Sequence, residues 1–139
     1  MNLEDLYQEI ILDHFKHPRN AEPLNEDLPF AEGENPNCGD LVRVTADLED
    51  EIIRTIQCDA RGCAISIASA SIMSEHLLNI GAEDARGRID DFETRITGKS
   101  VDSYAQKDPM SALLTIRRFP MRLKCAILPW AAIREFLMR

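Results

Sequence analysis

Residues 41–60, LVRVTADLEDEIIRTIQCDA, decide the fold because two stretches of strand-forming residues flank a short acidic turn. Apolar and polar side chains alternate over residues 42–48, which is the period-two pattern of a half-buried strand. Residues 52–60, after the turn at residues 49–51, have the composition of a second strand. The stretch therefore predicts an antiparallel β-hairpin.

Helical patterns lie on both sides of this hairpin. Apolar residues recur with helical spacing or pack densely in five segments, which are residues 3–15, 64–81, 85–96, 109–118 and 128–138. Gly81 is expected to cap the second of these helices, and Pro129 is expected in the first turn of the last one. Residues 19–37 predict an extended loop with one short strand. Strands early and helices late predict an α+β fold.

The composition limits the classes of function. The chain has 139 residues and a formal net charge of −8, which predicts one domain over residues 1–139 and argues against nucleic acid or an anionic membrane as partner. Protein partners and metal cations fit this charge better. The sequence contains no apolar run of membrane-spanning length and begins without an export-signal pattern, so we expect a soluble, cytoplasmic protein.

The four cysteines are Cys38, Cys58, Cys63 and Cys125. In a cytoplasmic protein they indicate metal binding or a reactive thiol rather than two disulfides. All but Cys58 fall at predicted junctions between elements, and the N-terminus of a helix favours the thiolate at Cys63 and Cys125. Alternation places Cys58 on the apolar face of its strand, which predicts a small buried hydrophobic residue.

Two other groups of residues are assigned no chemistry. His14 and His17, near the end of the first predicted helix, are expected to be solvated capping residues because helix C-termini favour cationic side chains. Ser66, Ser69 and Ser71, on the helix after Cys63, are expected to be small packing residues rather than nucleophiles.

Four motifs, in chain order, resemble the iron-sulfur cluster assembly family that includes the NifU N-terminal domain, IscU and SufU. They are LYQEIILDHFKHPRN (6–20), NPNCGD (35–40), GCAISIASASIM (62–73) and FPMRLKCAILPW (119–130). The resemblance covers nearly the whole chain and is greatest to the SufU type. It implies an α+β fold in which a small antiparallel sheet of about three strands packs against several helices.

The resemblance also implies a metal site. Three thiolates and one carboxylate suit tetrahedral Zn²⁺, the favoured cofactor, and thiolates also suit an iron-sulfur cluster, the alternative. A zinc ion with four anionic ligands leaves a formal charge of −2, which Arg122 and Lys124 are placed to balance as neighbouring cations. The implied ligands are Cys38, Asp40, Cys63 and Cys125.

Lys124 favours the SufU type within this family. IscU-like members have a histidine immediately before the third cysteine and a shorter stretch between the second and third cysteines. The resemblance therefore implies a sulfur carrier rather than a stand-alone catalyst. It would accept persulfide sulfur on Cys38 from a SufS-like cysteine desulfurase and pass it to downstream cluster assembly proteins. The alternatives are a scaffold that assembles a cluster and a structural zinc module that recruits proteins.

Overall fold

The computed structural model describes residues 2–139, and its sheet is built around the predicted hairpin. Strands β1 (Ala31–Asn35), β2 (Asp40–Glu49) and β3 (Ile52–Arg61) pair antiparallel in the order β1-β2-β3. Asp50 and Glu51 adopt positive φ angles, 54° and 64°, in the tight turn between β2 and β3. The hairpin and the short strand expected within residues 19–37 are therefore both confirmed.

Five α-helices accompany the sheet within the described residues. They are α1 (Leu3–Lys16), α2 (Ala64–Leu77), α3 (Ala82–Ile96), α4 (Pro109–Leu114) and α5 (Leu123–Leu137). Two short 3₁₀ turns, Thr115–Arg118 and Pro120–Arg122, connect α4 to α5. A three-stranded antiparallel sheet packed against helices confirms the predicted α+β class. Within residues 2–139, no helix combines the length and the apolar character that a membrane span requires.

The end of α2 differs from the prediction. The helix stops at Leu77, and Gly81 caps the N-terminus of α3 with an ordinary φ of −65°, so its expected role as a C-cap is wrong. The intervening backbone pairs with the edge of β3: the amide of Ile53 donates to the carbonyl of Ile80 at 2.9 Å, and the amide of Asn79 donates to the carbonyl of Ile53 at 2.7 Å. Hydrogen bonds to the sheet thus replace the last helical turn.

The start of α5 also differs from the prediction. The helix begins at Leu123, so Pro129 lies inside it and Cys125 lies in its first turn rather than before it. Proline inside a helix costs about 3 kcal/mol because it cannot donate to the carbonyl four residues earlier. Here the helix continues because Trp130 and Ile133, just beyond the proline, are fully buried. Tertiary packing has outweighed the local preference.

Helix α2 lies at the centre of the molecule. It packs against α1, α5 and β3, and its residues are buried around most of its circumference. Small side chains such as Ala68, Ala70 and Ser69 let these neighbours approach closely. Trp130 of α5 stacks on Phe92 of α3 with ring centroids 4.2 Å apart. The core therefore fixes α2 and α5 relative to each other, and each of these helices has a cysteine of the predicted site at its N-terminal end.

Candidate metal centre

Cys38 and Asp40 lie at the turn between β1 and β2. The amide of Cys38 donates to the carbonyl of Asn35 at 3.2 Å, and the amide of Gly39 donates to that of Pro36 at 3.4 Å. Gly39 has a φ of +70°, which favours glycine because it has no Cβ. This turn leaves Cys38 partly exposed, whereas Asp40 begins β2 with only 1% of its surface exposed.

Cys63 caps the N-terminus of α2 and contacts the buried carboxylate of Asp40. The amide of Cys63 donates to Asp40 Oδ1 at 2.8 Å, and its Sγ lies 3.7 Å from Oδ2. Gly62 makes this approach possible, because a Cβ at that position would lie 2.8 Å from the Cα of Asp40. The start of α2 is therefore fitted directly onto the Asp40 backbone and side chain.

Cys125 brings the third thiol from the first turn of α5. It is fully buried, and the side-chain amide of Asn35 donates to its Sγ at 3.8 Å. One donor atom from each of Cys38, Asp40 and Cys125 lies within 4.8 Å of the other two. Cys63 falls outside that mutual limit but lies within hydrogen-bonding reach of both Asp40 and Cys125. We call the four residues the thiol-carboxylate cluster.

The protonation of Cys125 differs from the sequence-based expectation. Burial raises the pKa of the Cys125 thiol, and its hydrogen bonds with Asp40, Cys38 and Cys63 raise that pKa further. The expectation that a helix N-terminus favours the thiolate is therefore wrong for Cys125 in the metal-free protein. The partial charge of the helix is outweighed by removal from water and by neighbouring groups that are acceptors. A bound cation is what would favour loss of this proton.

The residues present fit a metal such as Zn²⁺. Three sulfur donors and one oxygen donor converge from separate elements, and the Asp40 carboxylate is buried without a cationic side chain bonded to it among residues 2–139. Such a buried carboxylate ordinarily needs a cation or several hydrogen bonds. Thiolate and carboxylate ligands in a set of four match tetrahedral zinc. The thiol-carboxylate cluster would hold the ion.

The other residues considered from the sequence lie apart from this cluster or at its edge. Cys58 is buried in β3, and burial raises its pKa to about 12, which confirms the small buried residue expected there. Arg122 and Lys124 flank the start of α5 and are exposed to solvent. Neither is seen in an ion pair within residues 2–139, and their expected role in balancing the charge of a bound metal stays a prediction.

The structure also shows contacts that sequence reasoning missed. Asn35 and Gly62 stand inside or beside the cysteine motifs, but their roles depend on long-range contacts with Cys125 and Asp40. His14 is buried, and its Nδ1 lies 2.7 Å from Ser71 Oγ, so the solvated position expected for it is wrong. The sequence contained a signal for this burial, because position 14 falls on the apolar face of the first predicted helix.

A small α+β protein whose thiols and carboxylate converge at the junctions of its sheet and helices is a candidate metal-binding, sulfur-handling protein. Comparisons with known proteins narrow that class. The model of the NifU-like N terminal domain family matches residues 6–126. A crystal structure described as a putative iron-sulfur cluster assembly scaffold protein for the SUF system, from Fervidobacterium islandicum, has a TM-score of 0.84 at 28% identity, over 96% of this chain and 97% of that one.

Two curated relatives give the same result. The zinc-dependent sulfurtransferase SufU of Bacillus subtilis is 36% identical over 96% of this chain and 90% of its own length. The iron-sulfur cluster assembly scaffold protein IscU of Streptococcus pyogenes is 29% identical over 99% of this chain and 86% of its own length. The chain belongs to the NifU-like N-terminal domain family of iron-sulfur cluster assembly, which confirms the resemblance found in the motifs.

Proposed function

We propose that this protein is a zinc-bound sulfur acceptor that takes persulfide sulfur from a cysteine desulfurase on Cys38. The observation that carries the proposal is how differently the donors are held. Cys38 and Cys63 are both partly exposed, but the amide of Cys63 is bonded to the buried Asp40 carboxylate. Asp40 and Cys125 are almost completely buried, while Cys38 lies in a turn closed by two long backbone hydrogen bonds. The 36% identity to a protein named as a zinc-dependent sulfurtransferase supports the same function.

The chemistry requires Cys38 as a thiolate. Bound Zn²⁺ would hold the thiols deprotonated at neutral pH. The Cys38 thiolate attacks the terminal sulfur of the desulfurase persulfide, and a new sulfur–sulfur bond forms on Cys38 as the old bond breaks. The desulfurase cysteine leaves as a thiolate, so the sulfur moves without net oxidation or reduction. Cys38 ends as a persulfide, and its terminal sulfur can pass to the next protein in cluster assembly.

Asp40 and Cys63 are suited to remain in place during this transfer. The hydrogen bond from the Cys63 amide to Asp40 holds the carboxylate against the N-terminus of α2. The partial positive charge of the helix N-terminus also stabilises the negative charge of a carboxylate at this position. Release of Cys38 therefore leaves a supported set of three donors.

An apolar groove beside the cluster supports docking of the desulfurase. The groove has a volume of about 620 Å³ and lies between α1, the start of α2 and the first 3₁₀ turn. Phe119 lines it, and the neighbouring Met121 is 86% exposed. Residues 115–125 contain four basic residues and no acidic residue in a chain of net charge −8. The desulfurase surface that fits here is apolar with an acidic rim.

The test of the function is sulfur transfer to Cys38→Ala. The zinc-loaded protein is mixed with a SufS-type desulfurase and labelled cysteine, and persulfide on the acceptor is measured by mass spectrometry. Cys58→Ala is the matched control because it removes a thiol outside the cluster. We expect labelling of the wild type and Cys58→Ala but not of Cys38→Ala. Transfer to folded Cys38→Ala at the wild-type rate would exclude Cys38 as the acceptor.

The three thiols also fit a second candidate function, a scaffold that assembles an iron-sulfur cluster, and IscU proteins are among the relatives. A scaffold would acquire iron and acid-labile sulfide when supplied with desulfurase, cysteine and Fe²⁺, and would pass the cluster to an apoprotein. The sulfur acceptor would gain persulfide without a stable cluster. A purely structural zinc module is separated from both by Cys38→Ser, which in that case abolishes folding rather than transfer.

A further inference from the structure

Ser69, in the middle of α2, connects that helix to the beginning of α5. Its hydroxyl donates to the carbonyl of Ala126 at 2.6 Å and accepts from the indole Nε1 of Trp130 at 3.0 Å. Ser69, Ala126 and Trp130 are all fully buried. One hydroxyl group thus joins the two helices through two hydrogen bonds that water does not reach.

The position of this connection matters because each helix supplies one thiol of the cluster. Cys63 caps α2, and Cys125 directly precedes Ala126 in α5. Pro129 has no amide hydrogen, so the carbonyl of Cys125 lacks the donor that a helix normally provides four residues later. The first turn of α5 therefore has one hydrogen bond fewer within its own helix. The hydrogen bond from the Ser69 hydroxyl holds the next carbonyl, that of Ala126, from outside the helix.

We propose that the Ser69 hydroxyl is a positioning group. It holds Cys125 at the distance from Cys63 at which both sulfur atoms can bind one metal ion, and it thereby sets the metal affinity of the cluster. The proposal rests on the metal-binding part of the proposed function. Zinc–sulfur bonds have a narrow range near about 2.3 Å, so a small shift of the α5 first turn changes the fit of the Cys125 ligand. Loss of groups that orient metal ligands typically lowers affinity by about 10-fold to 100-fold.

The decisive comparison is between Ser69→Ala and Ser74→Ala. Both serines are fully buried on α2. The Ser74 hydroxyl donates to the carbonyl of Ser71 at 2.8 Å and accepts from the side-chain amide of Asn20 at 2.9 Å, and neither hydrogen bond reaches α5. Each variant loses one buried hydroxyl that makes comparable hydrogen bonds. Only Ser69→Ala loses the connection to the helix that bears Cys125.

Three measurements separate positioning from simple stability. Zinc affinity is measured by competition with a chromophoric chelator, ligand geometry by the absorption spectrum of the Co²⁺ form, and stability by denaturant unfolding in excess chelator. We expect Ser69→Ala to bind zinc at least about tenfold more weakly than Ser74→Ala, with an altered Co²⁺ spectrum. Equal zinc affinity in the two variants, or a wild-type Co²⁺ spectrum in Ser69→Ala, would overturn the proposal.

Trp130→Phe provides a second test within the same network. It removes the indole donor but leaves the bond from Ser69 to Ala126, and a phenyl ring can still stack on Phe92. We expect lower stability in chelator with wild-type zinc affinity. A tenfold loss of affinity in this variant would contradict the assignment to the Ser69–Ala126 bond.

These tests also remain separate from the proposed function. If Ser69→Ala does not fold without metal, Ser69→Thr, which retains the hydroxyl, takes its place: a wild-type Co²⁺ spectrum supports the proposal, and an altered spectrum at wild-type stability opposes it. Wild-type protein that binds no zinc would refute the metal site itself. Wild-type zinc affinity in Ser69→Ala would refute only the positioning role.

Discussion

Substitution of Gly62 by alanine should damage both the fold and the metal centre. Gly62 has a φ of +123°, and an added Cβ would lie 2.8 Å from the Cα of Asp40 and 3.0 Å from the carbonyl oxygen of Gly39. These neighbours are backbone atoms, so they cannot rotate away as a flexible side chain could. The substitution therefore forces the start of α2 away from the turn that holds Asp40.

The magnitude for Gly62→Ala follows from two costs. The unfavourable φ costs about 1–3 kcal/mol, and overpacking against backbone costs a further amount of about 1–3 kcal/mol. The expected loss is about 2–6 kcal/mol, which is a large part of the stability of an ordinary domain. The zinc affinity should also fall, because Asp40 and Cys63 lie on opposite sides of the forced displacement.

Gly39→Ala is the matched control for Gly62→Ala. Gly39 also has a positive φ, +70°, but an added Cβ there would meet no atom within 4 Å. Its expected cost is the conformational one alone, about 1–2 kcal/mol. Urea unfolding in excess chelator measures both variants, and chelator competition measures their zinc affinity. If Gly62→Ala loses no more stability than Gly39→Ala, the close packing of α2 on Asp40 is not the constraint inferred here.

Three further predictions concern the thiols and the docking surface. Zinc affinity should rise about tenfold per pH unit between pH 6 and 8 for each proton that binding releases, because the raised pKa keeps Cys125 protonated without metal. An affinity that does not change with pH in chelator competition would contradict this. Burial raises the pKa of Cys58 to about 12, so this thiol stabilises the fold below about pH 8.5, and that contribution is lost as the pH rises. The free energy of unfolding of metal-free Cys58→Val should therefore decline less steeply at alkaline pH than that of the wild type, by about 1.4 kcal/mol per pH unit. Met121→Glu should raise the desulfurase concentration for half-maximal transfer about tenfold or more. Leu48→Glu, at the far end of the hairpin with 42% exposure, should not change it. Equal effects would exclude the surface around Met121, beside the groove, from the docking site.

The sequence predicted the hairpin well because alternation depends only on which side of a strand each residue faces. Residues 42–48 keep that period in the sequence, and β2 follows it at buried Val42 and Val44. The burial pattern departs from it toward the turn, where the register shifts between Asp47 and Leu48, and Leu48 is exposed. Helix boundaries were predicted less well. Pro129 indicates a helix start by local preference, and Gly81 indicates a helix end, yet packing of Trp130 and pairing of Ile80 with Ile53 decided both. Contacts made by residues distant in sequence cannot be found from local patterns.

The candidate site shows the same division. Cysteines at element junctions and the family motifs were sufficient to select the members of the thiol-carboxylate cluster. Their supporting contacts were not predictable, because Asn35 reaches Cys125 and Ser69 reaches Ala126 across long sequence separations. The expectation for Cys125 failed for a related reason: its pKa depends on burial and neighbouring acceptors, which the sequence alone does not reveal.

In the proposed function Cys38 leaves the metal while the other donors stay, and the supports of the donors fit this proposal. Cys63 is fixed by a hydrogen bond from its backbone to Asp40, and Cys125 by burial in a helix that Ser69 ties to α2. Cys38 lies in the turn that is closed by the hydrogen bond from its amide to the carbonyl of Asn35, next to a glycine, and its thiol also contacts that of Cys125. A displacement confined to Cys38 would leave the hydrogen bonds from Cys63 to Asp40 and from Ser69 to Ala126 in place. A partner that displaces Cys38 therefore meets the weakest support in the cluster, and the remaining donors retain the geometry needed for its return.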